Sequence, residues 1–189
     1  MKIKLDIDKR SGYSLAHAMK TIMLLGESPI GREGLIKKLN LNEASVRTLL
    51  GKLEKNGFVK KSTKGRTLTD KGKKTLSFLK KNINGPVTMG RTKIAVSKYN
   101  IAYLVRNKSK KIKKGLEQRD QAILMGAEGL TTVTYDRSLC VPGPNWKVPC
   151  TVRDLFDLKR GDVILIGSAN RKDVADLAAL NAALLLLTI

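Results

Sequence analysis

Val46, Leu49, Leu50 and Leu53 recur at i, i+3, i+4 and i+7, and a Gly-containing stop follows at Asn56-Gly57. The spacing lays one apolar stripe along a helix, because residues three and four apart share a helix face. Asn42 marks the start, since its side-chain oxygen accepts a bond from a first-turn N–H that has no partner inside the helix. Asn56-Gly57 marks the end, both residues tolerating left-handed backbone. Phe58-Val59 then predicts a strand, Thr63-Lys64-Gly65 a turn and Arg66-Thr67-Leu68 the returning strand. Thr69 caps a further helix through Lys81, burying Leu76 with Phe78 or Leu79. Ser45, Thr48, Lys52 and Lys55 point away from the stripe, and Arg47 sits at its margin.

Upstream, Ser14 to Leu25 predicts a first helix with Leu15, Ala16, Met19, Ile22 and Met23 inward. His17 is read there as a surface or core-edge residue. Ile30 is placed to pair with the hairpin, and Leu35, Ile36 and Leu39 form the apolar face of a second helix. Ser45-Val46-Arg47, Leu50, Leu53-Glu54-Lys55-Asn56-Gly57-Phe58-Val59 and Leu68-Thr69-Asp70-Lys71-Gly72 resemble the recognition helix and wing of winged-helix transcription regulators, broadly of the MarR type. The resemblance runs over roughly residues 12–84 and implies a winged helix-turn-helix domain at 1–84, with double-stranded DNA as its partner. A major groove admits an α-helix and presents distinguishable base edges. On that fold the helix 42–56 enters the major groove, with Ser45, Arg47 and Thr48 reading bases. Lys52 and Lys55 contact phosphates, and Lys64 and Arg66 reach the backbone or minor groove from the basic wing 58–68.

Charge agrees with such a partner. Of 189 residues, 37 are Lys or Arg against 16 Asp or Glu, a net charge of +21. Lys60 to Lys81 holds nine basic residues and one acidic one, Asp70. A field of this sign draws in polyanions. A solubilising surface is the plainer account, but the coincidence with a groove-binding fold favours nucleic acid. Met1 to Asp6 alternates charged and apolar residues, which suits a short strand better than an export signal. The apolar C-terminus contains Asp173, Asp176 and Asn181 and has too short an uninterrupted run to span a bilayer. A cytoplasmic location without a membrane partner is therefore expected. Cys140 and Cys150 flank a Pro-rich loop without metal-ligand spacing, and the single histidine, His17, lies far off in sequence. They are read as ordinary thiols, with a loop-closing disulfide as the alternative, and no metal or cofactor is expected.

Asn82-Ile83-Asn84-Gly85-Pro86 breaks the pattern and is taken as the boundary to a second domain, 87–189. Strands are predicted at Lys93–Val96, Asn100–Val105, Leu130–Tyr135, around Leu139–Val141 and at Asp162–Gly167. Helices are predicted at Ser109–Met125, with Ile112, Leu116 and Ile123 inward, at Thr151–Phe156 and at Arg171–Leu187. This order argues for a small α/β sandwich with helices on one sheet face, giving an α+β protein overall. In the last helix Ala175, Ala178, Ala179, Ala182 and Ala183 form one stripe, with Leu177, Leu180, Leu184 and Leu187 almost opposite. A helix apolar on both sides must bury both, and a homodimer contact on the leucine side is expected. Gly167, Ser168 and Asn170 join a strand to that helix and are the candidate site for a small anionic effector; a simple junction capped by Asn170 and Asp173 is the competing account. Lys108, Lys110, Lys111, Lys113 and Lys114 are either a second nucleic-acid surface or one solvated helix face.

No catalytic set is visible, and Asp120, Asp154 and Asp162 are assigned to surface or turn positions, so an enzyme is not expected. The helix–Gly-Ala-x-Gly–strand stretch and the Ala-rich last helix resemble archaeal two-domain winged-helix proteins with an uncharacterised C-terminal domain. The sequence thus reads as a DNA-binding transcription regulator whose second domain dimerises and senses an effector. An RNA- or chromatin-associated basic module and an enzyme domain tethered to a winged helix are the alternatives.

Overall fold

The computed structural model describes residues 5, 7, 11–143 and 146–187. The strand expected at Met1–Asp6 lies, Leu5 apart, outside them. Clustering of backbone contacts divides the chain into Met1–Lys80 and Lys81–Ile189.

The first unit runs α1 (Leu15–Leu25), α2 (Arg32–Leu39), α3 (Glu43–Lys55), β1 (Val59–Ser62), β2 (Gly65–Leu68) and all but the last two residues of α4 (Asp70–Asn82). Asn42 caps α3, its side-chain oxygen accepting the Ser45 N–H at 2.8 Å, and Val46, Leu49, Leu50 and Leu53 are all buried. Gly57 turns the chain out of α3 at a φ of +72°, a left-handed conformation that costs glycine nothing. β1 and β2 pair antiparallel from Val59↔Leu68 to Ser62↔Gly65. Ile30 extends that hairpin by exchanging backbone bonds with Arg66 at 2.9 and 3.2 Å. Thr69 ties hairpin to helix: its hydroxyl donates to the Gly57 carbonyl at 2.6 Å and accepts the Gly72 N–H at 3.1 Å. In α1, Ala16, Met19 and Ile22 are buried, whereas Leu15 and Met23 are half-exposed. His17 Nδ1 accepts the Ser14 N–H at 3.0 Å, so this histidine helps to cap its own helix. In α4, Leu79 is the buried member of the expected set.

The second unit holds β3 (Ile83–Met89), β4 (Tyr99–Val105), α5 (Leu116–Leu124), β5 (Gly129–Tyr135), β6 (Leu139–Val141), β7 (Trp146–Lys147), α6 (Cys150–Arg153), β8 (Val163–Ala169) and α7 (Lys172–Leu187). The strands form one sheet in the order β3-β4-β8-β5-β6-β7, every pair antiparallel. β8 lies inside the sheet and is buried along its whole length, which explains its unbroken Val-Ile-Leu-Ile run. Alternate residues serve opposite faces. Ala102, Leu104, Ile164 and Ile166 join Ile94, Ala95, Val152 and Phe156 in one apolar cluster. On the other face Gly167 lies against α7 so closely that an added Cβ would meet the Ala175 carbonyl oxygen at 2.4 Å. Tyr103 reaches α7 as well, its hydroxyl donating to Asp176 at 2.5 Å. Burial, together with the neighbouring Asp176 carboxylate, pushes the Tyr103 phenol well above its ordinary pKa.

Five expectations for this unit change. Ile83–Met89, read in part as a linker, is an edge strand with a register shift between Asn84 and Val87, and the division falls at residue 80 rather than 84. A break in hydrophobic pattern does not distinguish a bulged edge strand from a linker. Lys93–Val96 is not a strand: Thr92 and Ala95 exchange backbone bonds in a turn that buries Ile94 and Ala95. The helix expected from Ser109 begins at Leu116, because Gly115 takes a φ of +76° against Thr132. Its buried residues are Gln118 and Ala122, while Leu116 and Ile123 are exposed. Both sheet faces, not one, are covered. Finally, Leu177, Leu180, Leu184 and Leu187 are buried within the chain itself, so the leucine side of α7 offers no free surface for a second copy. Among the described residues no helix is long and apolar enough to cross a membrane.

Candidate nucleic-acid interface

The apolar stripe of α3 fixes which of its residues face outwards. Arg47 is exposed and pairs with Glu43 at 3.2 Å, while Glu43 also binds Arg32 at 3.1 Å. The Arg32 and Arg47 guanidiniums hold the Glu43 carboxyl below its ordinary range. Thr48 is exposed, its hydroxyl donating back to the Ala44 carbonyl at 2.9 Å. Ser45 does not join them. It is buried, with its hydroxyl 2.7 Å from where a Cβ on Gly12 would lie, and it is withdrawn as a base-reading residue.

In the last turn of α3, Lys55 is exposed and Lys52 half-buried, and on the hairpin Lys60, Lys61 and Lys64 are exposed. None of these five lysines forms an ion pair among the described residues. Lys60 and Lys61 were counted in the basic run but not singled out as contacts. The exposed pattern of β1 is what marks them. Arg66 departs from its expected role. Its Nε donates to Glu54 at 2.5 Å with only 21% of the side chain exposed, and its backbone pairs with Ile30. It braces the hairpin against α3 rather than reaching outwards. Lys71 is likewise engaged, donating to the Asn56 carbonyl at 2.8 Å above the Phe58 ring.

The expected effector site does not assemble. Gly167 and Ser168 lie inside β8, and the Ser168 hydroxyl donates to Asn100 at 2.7 Å. Asn170 bonds Glu128, while Asp173 pairs with Arg171 at 2.7 Å. The Ser168 and Asn170 side chains are thus committed to neighbours distant in sequence. Asp162, assigned to a surface turn, is 2% exposed. It accepts Arg106 at 2.6 Å and the Asn107 and Lys159 N–H groups at 3.0 and 2.9 Å. The lysines from Lys108 to Lys114 do not share one helix face, and Lys111 donates to the Leu186 carbonyl at 3.0 Å. Cys140 and Cys150 form no disulfide with each other. Among the described residues no group of three or more His, Cys, Asp or Glu is placed to hold a metal ion.

These features define a class: an α+β protein with a basic helix–hairpin–helix unit followed by an antiparallel-sheet unit. Comparison with known proteins gives the same two parts. Residues 14–74 match the PH0730-like N-terminal domain, and residues 96–188 match a domain of unknown function, DUF4443. The chain is similar to a solved archaeal structure, the hypothetical protein PH0730 from Pyrococcus horikoshii OT3, with 28% identity, 92% of each chain covered and a TM-score of 0.74. No curated protein matches the chain.

Proposed function

We propose that the first unit is a winged helix-turn-helix domain that binds double-stranded DNA, and that the protein is a transcription regulator. The observation that carries this reading is the set of unpaired lysines, Lys52 and Lys55 on α3 with Lys60, Lys61 and Lys64 on the adjacent hairpin. Cations without acidic partners release counterions from phosphates, which drives association with nucleic acid. In this reading α3 lies in the major groove, Arg47 and Thr48 read bases, and the hairpin lysines fix register on the backbone. Arg47 then exchanges Glu43 for a base edge, leaving Arg32 to hold the carboxylate. The second unit supplies the regulatory part, and the exposed Leu116, Ile123 and Leu124 of α5 favour that helix over α7 as the face for a second copy.

The test is a binding series with the protein's own upstream DNA, a scrambled duplex and a structured RNA, each across increasing salt. A preference for the upstream duplex that survives physiological salt and disappears in Arg47→Ala supports the regulator. Equal, salt-labile binding to all three supports the RNA- or chromatin-associated alternative instead.

A further inference from the structure

A cavity of about 530 Å³ opens in the second unit between the end of β5, the β6–β7 hairpin and α6. Its volume falls within the roughly 300–1,000 Å³ of small-molecule sites. Tyr135, Arg137, Ser138, Trp146 and Arg153 contribute to its wall, and no Asp or Glu does so among the described residues. Arg137 and Arg153 are both exposed and form no ion pair or hydrogen bond with a described residue. Asp136, the carboxylate next in sequence to Arg137, is taken by Arg160 at 2.5 Å.

Trp146 is the chain's single tryptophan, and 58% of it remains exposed. It pairs with Val141 across the hairpin, which fixes the strand that carries it. An exposed indole thus shares one cavity wall with two arginines that form no ion pair among the described residues, Arg137 lying within the field of Asp136. The indole face stacks planar rings, and each guanidinium offers a planar fork of donors matched to phosphate oxygens. Ser138 and Tyr135 line the same wall.

We propose that this cavity binds a mononucleotide, its base stacked on Trp146 and its phosphate held by Arg137 and Arg153. The site is independent of DNA binding by the first unit, and either can fail without the other. It takes the place of the Gly167–Asn170 junction as the ligand site of the second unit. Two thiols, Cys140 and Cys150, line the same cavity, so a bound nucleotide shields them.

Trp146 fluorescence of the full-length protein reads the site directly. Adenosine 5′-monophosphate is expected to change it saturably, with binding weakened by about tenfold or more in Arg137→Ala and in Arg153→Ala, as loss of a charge-assisted bond requires. Adenosine, ribose 5-phosphate and inorganic phosphate each lack one half of the recognition and are expected to bind much more weakly. The nucleotide also slows reaction of the thiols with a disulfide reagent in the wild type but not in Arg153→Ala, with folding of each variant checked by circular dichroism. The combined variant Lys60→Ala, Lys61→Ala and Lys64→Ala keeps the fluorescence response. The proposal is overturned by equal responses to nucleotide and inorganic phosphate, by loss of the response in that lysine variant, or by a single-stranded oligonucleotide binding far better than the mononucleotide.

Discussion

An enclosed ion pair of the second unit and a set of open lysines in the first treat charge in opposite ways. In the second, the buried Asp162 carboxylate holds the partly exposed Arg106, while the Arg160–Asp136 and Arg171–Asp173 pairs lie at the surface. In the first, Lys52, Lys55, Lys60, Lys61 and Lys64 carry no ionic partner among the described residues, and Arg66 is the basic residue of the hairpin drawn into the fold. A charge enclosed by the fold depends on its partner, and removing that partner is costly. A charge left outside contributes little to stability and remains available to a ligand. The contrast separates residues whose loss unfolds the protein from residues whose loss changes only binding.

Asp162→Ala attacks the enclosed side and has the largest expected effect. It removes the ionic partner of Arg106, which keeps the Asp157 carbonyl, and leaves two N–H groups without their acceptor, with a loss of about 3 kcal/mol in denaturant unfolding; a loss below about 1 kcal/mol would break the comparison. A pH effect comes from the same unit. Tyr103 is held protonated by burial and by Asp176. A raised folded pKa means that the native state keeps a proton which the unfolded chain releases. The associated stability is therefore complete below the ordinary value of 10.0 and is lost as pH rises through the raised one. Thermal melts of Tyr103→Phe should fall less steeply in alkali than those of wild type.

On the open side, Arg47→Ala is expected to cost about 1–3 kcal/mol of discrimination between upstream and scrambled duplex while leaving the melting curve unchanged. Asn42→Ala sits between the two regimes. It removes the cap of α3 and should lower stability by about 1 kcal/mol, weakening DNA binding only as far as the helix frays. Lys64→Ala has the smallest expected effect, reducing the slope of log affinity against log salt by about 0.9 with no change in unfolding. A Lys64→Ala protein that melts early would mean that the hairpin lysines are structural after all.

What was legible in the sequence follows the same line between local and distant causes. The α3 stripe, its Asn42 cap and the Gly57 stop depend on residues a few positions apart and were read correctly; the hairpin was also foreseen, although Gly65, expected in the turn, opens β2. Ser45 and Arg66 were misplaced because their surroundings come from elsewhere: Gly12 in one case, Glu54 and Ile30 in the other. Asp162 does close a turn with Lys159, but its burial was not legible because Arg106 lies in a different part of the chain. Within the second unit, Gly115 was absorbed into a helical pattern because only contact with Thr132 reveals its left-handed backbone. The cavity beside Trp146 was not legible at all. Its arginines flank the β6–β7 hairpin in sequence and converge only when α6 folds beside it.

The meeting of Gly167 with Ala175 and Ala179 sets a limit on how this architecture can vary. Strand and helix approach through their smallest residues, so the spacing between them is defined by missing atoms rather than by interlocking ones. Added bulk there has only two outlets, to lift α7 or to bend β8. Because β8 bonds to β4 and β5 at once, either outlet distorts several elements together. A methyl group, harmless over most of the surface, becomes here a lever on the whole sheet.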